Sequence, residues 1–122
     1  MNKHYLTGLL LVLMVAAGLW WLLYSPTPAK GTYDAFAACL AEKGFVMYGA
    51  EGCSHCQNEK RAFGDSFRLI SYVQCPKEPQ ACVAKGVDRY PTWFTGTGEK
   101  LVGEQGLAKL AEKSGCLLPA KQ

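Results

Sequence analysis

Between Tyr5 and Tyr24 the chain runs for twenty residues without a single charge, mostly through Leu, Val, Ala and Trp. At about 1.5 Å of rise per residue, a helix of that length matches the hydrocarbon thickness of a bilayer. Lys3 and the amino terminus precede the run, and Trp20, Trp21 and Tyr24 close it as an aromatic belt. The positive flank places the N-terminus in the cytoplasm and everything after Tyr24 outside. A cleaved signal peptide is the competing reading. The run is longer than the roughly 7 to 15 apolar residues of a signal core, and its bulky aromatic end suits cleavage poorly. Thr27-Pro28-Ala29 is a small-residue site with a proline in an awkward place. The expectation is therefore an uncleaved anchor over residues 1–24, and under either reading the rest of the chain is exported.

Residues 25–32 (Ser-Pro-Thr-Pro-Ala-Lys-Gly-Thr) read as a linker. Their two prolines favour an extended spacer with a reach on the order of 25 Å. Residues 33–122 form the remaining domain, its globular part running from about Tyr33 to Cys116. That is enough for one sheet with covering helices and not for two cores. Thirteen Lys and Arg against ten Asp and Glu leave no basic footprint for nucleic acid. No internal repeat or low-complexity segment is visible.

All six cysteines follow the apolar run. An even count in an exported domain implies disulfides. Two of them, in Cys53-Ser54-His55-Cys56, fall where a strand should end and a helix should begin. Gly44-Phe45-Val46-Met47-Tyr48-Gly49 reads as a short buried strand bounded by glycines. Asn58 to Phe67 carries Ala62, Phe63 and Phe67 at helical spacing, with Glu59, Lys60, Arg61 and Asp65 available for a wet face. A cysteine at a helix start meets free backbone N–H groups and the positive end of the helix dipole. Both stabilise a thiolate and make that cysteine a nucleophile. Cys53 is then the attacking thiol, and Cys56, one turn further in, the resolving thiol. His55 stands between them, where it can donate to the Cys53 sulfur or carry positive charge beside it; a solvated histidine is the plainer reading. Glu51 either opposes that charge or is a surface residue. A zinc site would want a second Cys or His pair at matching spacing, and Cys75 and Cys82 are too far apart in sequence for it. A purely structural disulfide gains little from so short a loop.

Tyr33, Phe36, Ala37, Leu40 and Ala41 follow the pattern of an amphipathic helix, stopped by Gly44. After the strand at Phe45 to Tyr48 and the helix behind Cys53, Leu69 to Gln74 reads as a second strand. A short helix follows across Pro79 to Lys85, with proline in its first turn. Thr92 to Thr95 is a third strand, turned by Gly96-Thr97-Gly98 into a fourth near Lys100 to Val102. Leu107, Leu110, Ala111 and Ser114 mark a last helix, capped by Gly115. The order is a helix, then βαβαββα: an α/β domain with a small mixed four-stranded sheet covered by helices. Trp93, on a strand with an apolar neighbour, reads as core.

This order, the CxxC at a strand-to-helix junction and Val87-Asp88-Arg89-Tyr90-Pro91-Thr92 together resemble a thioredoxin-fold protein. The resemblance implies that Tyr90-Pro91 carries a cis peptide bond and lies beside the CxxC as the wall for a substrate backbone. More narrowly, the chain resembles the thioredoxin-like domain associated with bacterial and plant vitamin K epoxide reductase homologues. The matching segments are Phe36-Ala37-Ala38-Cys39-Leu40, Met47-Tyr48-Gly49-Ala50, Cys53-Ser54-His55-Cys56-Gln57, Tyr72-Val73-Gln74-Cys75, Tyr90-Pro91-Thr92-Trp93 and Ser114-Gly115-Cys116. In that family the domain takes electrons from folding proteins and hands them to the membrane reductase, which passes them to quinone. Gly52 stands where the family usually has an aromatic residue, and Ser54 where it usually has proline.

Cys75 and Cys82 flank a proline-containing loop and pair most naturally, which leaves Cys39 with Cys116. Each pair is either a static staple or a relay that passes oxidation to the CxxC. The functional expectation is a membrane-anchored thiol–disulfide oxidoreductase with no cofactor beyond its redox-active disulfide and no metal. Its partners would be exported cysteine-containing proteins and a vitamin K epoxide reductase-like membrane oxidase. Its domain would face the periplasm, or a thylakoid lumen, from the inner membrane. A tethered reductase serving cytochrome c maturation or thiol rescue, and a non-catalytic assembly factor, are the alternatives.

Overall fold

The computed structural model describes residues 2–24 and 31–120. The expected linker at 25–32 lies outside them except for its last two residues. Helix α1, Lys3–Leu23, spans 21 residues with a mean hydropathy of 2.3, and none of its residues is buried. By length and composition it is able to cross a membrane. Trp20 and Tyr24, one turn apart at its end, stack with their ring centroids 4.5 Å apart.

The domain begins with α2, Asp34–Glu42, which buries Phe36, Ala37 and Leu40. Then come β1 (Val46–Gly49), α3 (Ser54–Phe63), β2 (Ser71–Gln74) and α4 (Pro79–Ala84), followed by β3 (Thr92–Phe94), β4 (Lys100–Val102) and α5 (Gly106–Ser114). The sheet order is β2-β1-β3-β4. β1 and β2 are parallel, joined over the sheet by α3, while β3 pairs antiparallel with both β1 and β4.

Side chains alternate across a strand, so β1 sends neighbours to opposite faces. Met47 enters the main core with Phe36, Leu40, Phe63, Trp93 and Leu110. Tyr48 joins a second cluster with Cys75 and Cys82. Both faces of the central strand are therefore covered, which explains why its sequence is apolar without polar alternation. Full burial of each such large apolar side chain contributes about 1.5–3 kcal/mol before entropy is counted. Phe63 is the ring that ties the layers, 6.0 Å from Phe36 and 6.2 Å from Trp93 between centroids. This is the thioredoxin fold.

Two expectations are corrected. The helix behind Cys53 stops at Phe63 instead of running to Phe67, because Gly64 takes φ +56°, a left-handed backbone that other residues avoid. A 3-10 turn, Gly64–Leu69, then carries the chain to β2, which starts at Ser71 and not at Leu69. Phe67 still packs edge-on against Phe63 at 6.1 Å from this tighter turn, while Ala62 lies exposed. Buried Ser66 accepts the Tyr33 N–H at 2.9 Å, and Arg68 forks onto both Asp34 oxygens, so the turn is tied to the start of α2.

Candidate active site

β1 runs out at Gly49 into a turn over Ala50 to Gly52, and the Cys53 N–H closes it on the Ala50 carbonyl at 3.2 Å. Cys53 is the residue before the first turn of α3, with extended backbone (φ −88°, ψ 116°). Its sulfur accepts the Cys56 N–H at 3.2 Å. It thus takes the part that a Ser or Asp oxygen usually plays at a helix start, satisfying a backbone donor that the helix leaves bare. The geometry serves a negative sulfur better than a neutral one.

Both thiols are free, and their surroundings differ. Cys53 is half-buried, whereas Cys56 is 0% exposed. Burial, followed by its contact with Cys53, pushes the Cys56 thiol up to about 12, against the pull of the Ala50 backbone and the Lys60 ammonium. One sulfur is reachable and capped by a donor, and the other is hidden and held as a thiol. An attacking and a resolving cysteine need this asymmetry.

His55 does not turn to the sulfurs. Its Nδ1 lies 2.5 Å from Glu104 Oε2, in the loop before α5, and no hydrogen bond joins it to either cysteine among the described residues. The contact holds the Glu104 carboxyl below the usual carboxylate range. Any influence of His55 on the site is therefore that of a nearby charge, shared with Glu104, and not of a direct donor. Glu51 is engaged elsewhere too: Lys60 Nζ lies 2.7 Å from it, and Gln57 donates to its backbone carbonyl at 2.9 Å. Lys60 holds the Glu51 carboxyl below its ordinary value.

The Tyr90–Pro91 peptide bond is cis. Thr92 pairs with Tyr48, so Tyr90 and Pro91 enter the sheet at the end where β1 leaves it for Cys53. Pro91 is fully buried and Tyr90 is 40% exposed, so the tyrosine offers the open surface at this edge. Thr92 Oγ1 donates to the Arg89 carbonyl at 2.7 Å and closes the loop beneath them. Trp93 is buried in the core.

Two disulfides are formed, Cys39–Cys116 and Cys75–Cys82. The first joins α2 to the segment after α5, across 77 residues. The second joins the end of β2 to α4, across seven. Gly49 pairs with Gln74, and the Cys75 N–H donates to the Gly49 carbonyl at 2.9 Å, so this second bridge sits at the same end of the sheet as the CxxC.

Three residues at the site carry no signal in the sequence pattern. Glu59, expected on a wet face, is 2% exposed, and its two oxygens accept the backbone N–H groups of Gln105 and Gly106 at 3.0 Å each. It caps α5 from α3 and fixes the loop that presents Glu104 to His55. Burial raises its carboxyl above the ordinary value, and the two backbone donors pull it back down. Gly49 is tight: a Cβ there would lie 2.8 Å from Cys56 Sγ. Tyr72, on β2, brings its hydroxyl to 3.4 Å from that same Cβ and buries it without a hydrogen-bond partner among the described residues.

No family profile matches the chain. Among curated proteins it is similar to the thiol-disulfide oxidoreductase LTO1 of Arabidopsis thaliana, with 34% identity over a stretch that takes in 75% of this chain and 28% of that protein. The chain thus spans little more than a quarter of the length of that relative.

Proposed function

We propose that this protein is a membrane-anchored thiol–disulfide oxidoreductase whose Cys53–Cys56 disulfide oxidises cysteine pairs in exported proteins. One observation carries the reading: the half-exposed Cys53 sulfur sits at the start of α3 and accepts the Cys56 N–H, with the buried Cys56 behind it. The similarity to a named thiol-disulfide oxidoreductase over three quarters of the chain supports it.

A client thiolate attacks the Cys53 sulfur of the oxidised pair. The Cys53–Cys56 bond breaks, its electron pair leaves on Cys56, and a mixed disulfide joins the client to Cys53. A second client thiolate then attacks the client's own sulfur, and Cys53 departs as a thiolate onto the N–H of the helix start. The client gains a disulfide, the protein holds two reduced cysteines, and one of the two client protons ends on Cys56. Tyr90 and Pro91 form the edge along which the client backbone lies. Re-oxidation falls to a quinone-linked membrane enzyme resembling vitamin K epoxide reductase, and α1 keeps the domain within its reach.

The oxidising direction is supported by a buried central strand, Val46–Gly49, that carries no acid to take up the Cys56 proton. One observation favours the reverse direction, a tethered reductase: the Glu104 carboxylate lies against His55 and adds negative charge beside the site. Equilibration of the full-length protein with glutathione buffers decides between them. The couple is expected above the thioredoxin value of about −270 mV, toward the strongest periplasmic oxidants at about −120 mV. Reduced protein should then be re-oxidised by the quinone-linked partner. A potential near thioredoxin's, with reduction by a membrane donor, would assign the reductase.

A further inference from the structure

Opening the Cys53–Cys56 disulfide requires Cys56 to leave as a thiolate from a place where it is 0% exposed. Water cannot solvate that charge, so a protein donor must meet it or the step is slow. The Cys56 N–H is already given to Cys53, and the Ala50 backbone and the Lys60 ammonium ease the charge on the Cys56 sulfur without overcoming its burial.

One unused donor stands at this spot. The Tyr72 hydroxyl is buried and has no hydrogen-bond partner among the described residues. Both groups border the space above Gly49: a Cβ built there would lie 2.8 Å from Cys56 Sγ and 3.4 Å from Tyr72 Oη. The absent side chain at Gly49 is what lets both groups face the same small space. Lys60 sits over the phenol ring, its Nζ 4.2 Å from the ring centroid. A cation on the ring face draws electron density from the oxygen and makes the O–H a better donor. Phe67 packs edge-on against the ring at 5.5 Å and holds the phenol in place.

We propose that Tyr72 donates its phenolic hydrogen to the Cys56 sulfur as that sulfur leaves, and so sets the rate at which the active-site disulfide opens. The role rests on the thiol–disulfide exchange proposed above and deepens it. In the step, the client thiolate forms a bond to Cys53 Sγ, the S–S bond breaks, and the electron pair on Cys56 is met by the Tyr72 O–H. The phenol keeps its proton, and Cys56 is protonated afterwards by the proton that the client thiol released. In the closing direction the same contact steadies the Cys56 thiolate before it attacks.

Tyr72→Phe tests this, because it removes one oxygen atom and keeps the ring against Lys60 and Phe67. The deleted hydroxyl is unpaired in the reduced protein, so the variant should unfold at the temperature of the wild type or slightly above it. With full-length protein in detergent, the rate at which dithiothreitol opens the Cys53–Cys56 disulfide should fall about tenfold or more, as expected for a lost hydrogen bond to a charged group. The glutathione equilibrium should move less than about threefold, because Cys56 ends each turnover as a thiol and the charge is transient. Alkylation of Cys53 in the reduced protein should keep its wild-type rate. An opening rate equal to wild type would overturn the role of Tyr72, and so would an equal fall in Cys53 alkylation, which would mean a general disturbance of the helix start. A wild-type protein whose Cys53–Cys56 pair does not exchange with thiols at all would overturn the proposed activity, and Tyr72's part with it.

Discussion

Cys53 with Cys56 and Cys39 with Cys116 are the same pair of side chains put to opposite uses by where the chain places them. The first two are separated by one helical turn, and one of their sulfurs is open to an incoming thiolate. The second two lie 77 residues apart and lock α2 to the segment after α5, with Cys116 buried in the main core. A short loop restrains the unfolded chain little, so opening it costs little folding energy. A long one restrains it a great deal. Reactivity then depends on access and on who meets the departing sulfur; Cys39 is half-buried as Cys53 is, so what sets its pair apart is the long loop and the buried Cys116. Cys75–Cys82 falls between the two: its loop is short, its sulfurs are buried, and it sits at the end of the sheet beside the CxxC.

The sharpest way to break this contrast is to delete each pair in turn. Cys53→Ser should abolish exchange with thiols while leaving the domain folded, and Cys56→Ser should trap mixed disulfides through Cys53. Both are read by mass spectrometry of thiol-treated protein. Residual exchange in Cys53→Ser would show that another cysteine carries the chemistry. The double variant of Cys39 and Cys116 should do the reverse, costing about 4.5 kcal/mol of stability by the chain-entropy relation for its loop. For Cys75 and Cys82 the same relation gives about 2.4 kcal/mol. Urea unfolding of the full-length variants measures both. If loss of the Cys75–Cys82 bridge instead slows exchange and leaves stability unchanged, that pair is a relay.

Local sequence was enough to read what local physics decides. The strand before Cys53, the helix start at the CxxC and most of the turns are set by neighbours within a few residues, and the order of elements stands where the pattern put it. The misses at the site depend on distant partners. Glu59 sits among Lys60 and Arg61 in a polar run and reads as solvated, yet its carboxylate is claimed by N–H groups more than forty residues on. His55 reads as a partner of the sulfurs beside it until Glu104, from the loop before α5, takes its ring nitrogen. Tyr72 looks like one more aromatic in a strand, and nothing in its neighbours says that its hydroxyl is buried beside Gly49. Even Phe67 keeps its core contact by a 3-10 turn that helical spacing does not distinguish from a longer helix.

Glu59 also separates the two regions, since it ties α3 to α5 without touching either disulfide. Glu59→Ala leaves two backbone donors without their acceptor and should cost about 2 kcal/mol, read by urea unfolding. Its pH dependence runs opposite to that of Asp34. Burial raises the Glu59 carboxyl, so its contribution is fullest below the unfolded value of about 4.3 and fades as pH rises through its raised folded value. Arg68 holds Asp34 well below the usual range, so that contribution is present above about 3.9 and is lost as pH falls through the folded value. Unfolding measured from pH 2 to 7 should therefore show a flatter acid limb in Asp34→Asn and a shallower decline above pH 4 in Glu59→Gln. Parallel profiles for the two variants would contradict these assignments.

The smallest effect expected is the one that tests how far His55 belongs to the site at all. The imidazole is exposed and paired to Glu104, and both groups are at the surface, so water and salt screen whatever charge they project. Glu104→Gln removes the negative partner and keeps the side chain's shape. If His55 acts on Cys53 as a nearby charge, the uncompensated ring should favour the thiolate and make the disulfide slightly more oxidising. The shift should be smaller than the roughly 30 mV that a tenfold change in the exchange constant represents, and it should shrink as salt is added. His55→Ala in the same background should abolish it. A potential unmoved by Glu104→Gln at low salt would make His55 a surface histidine that happens to lie between two cysteines. The redox poise would then belong to the helix start and to the buried surroundings of Cys56 alone.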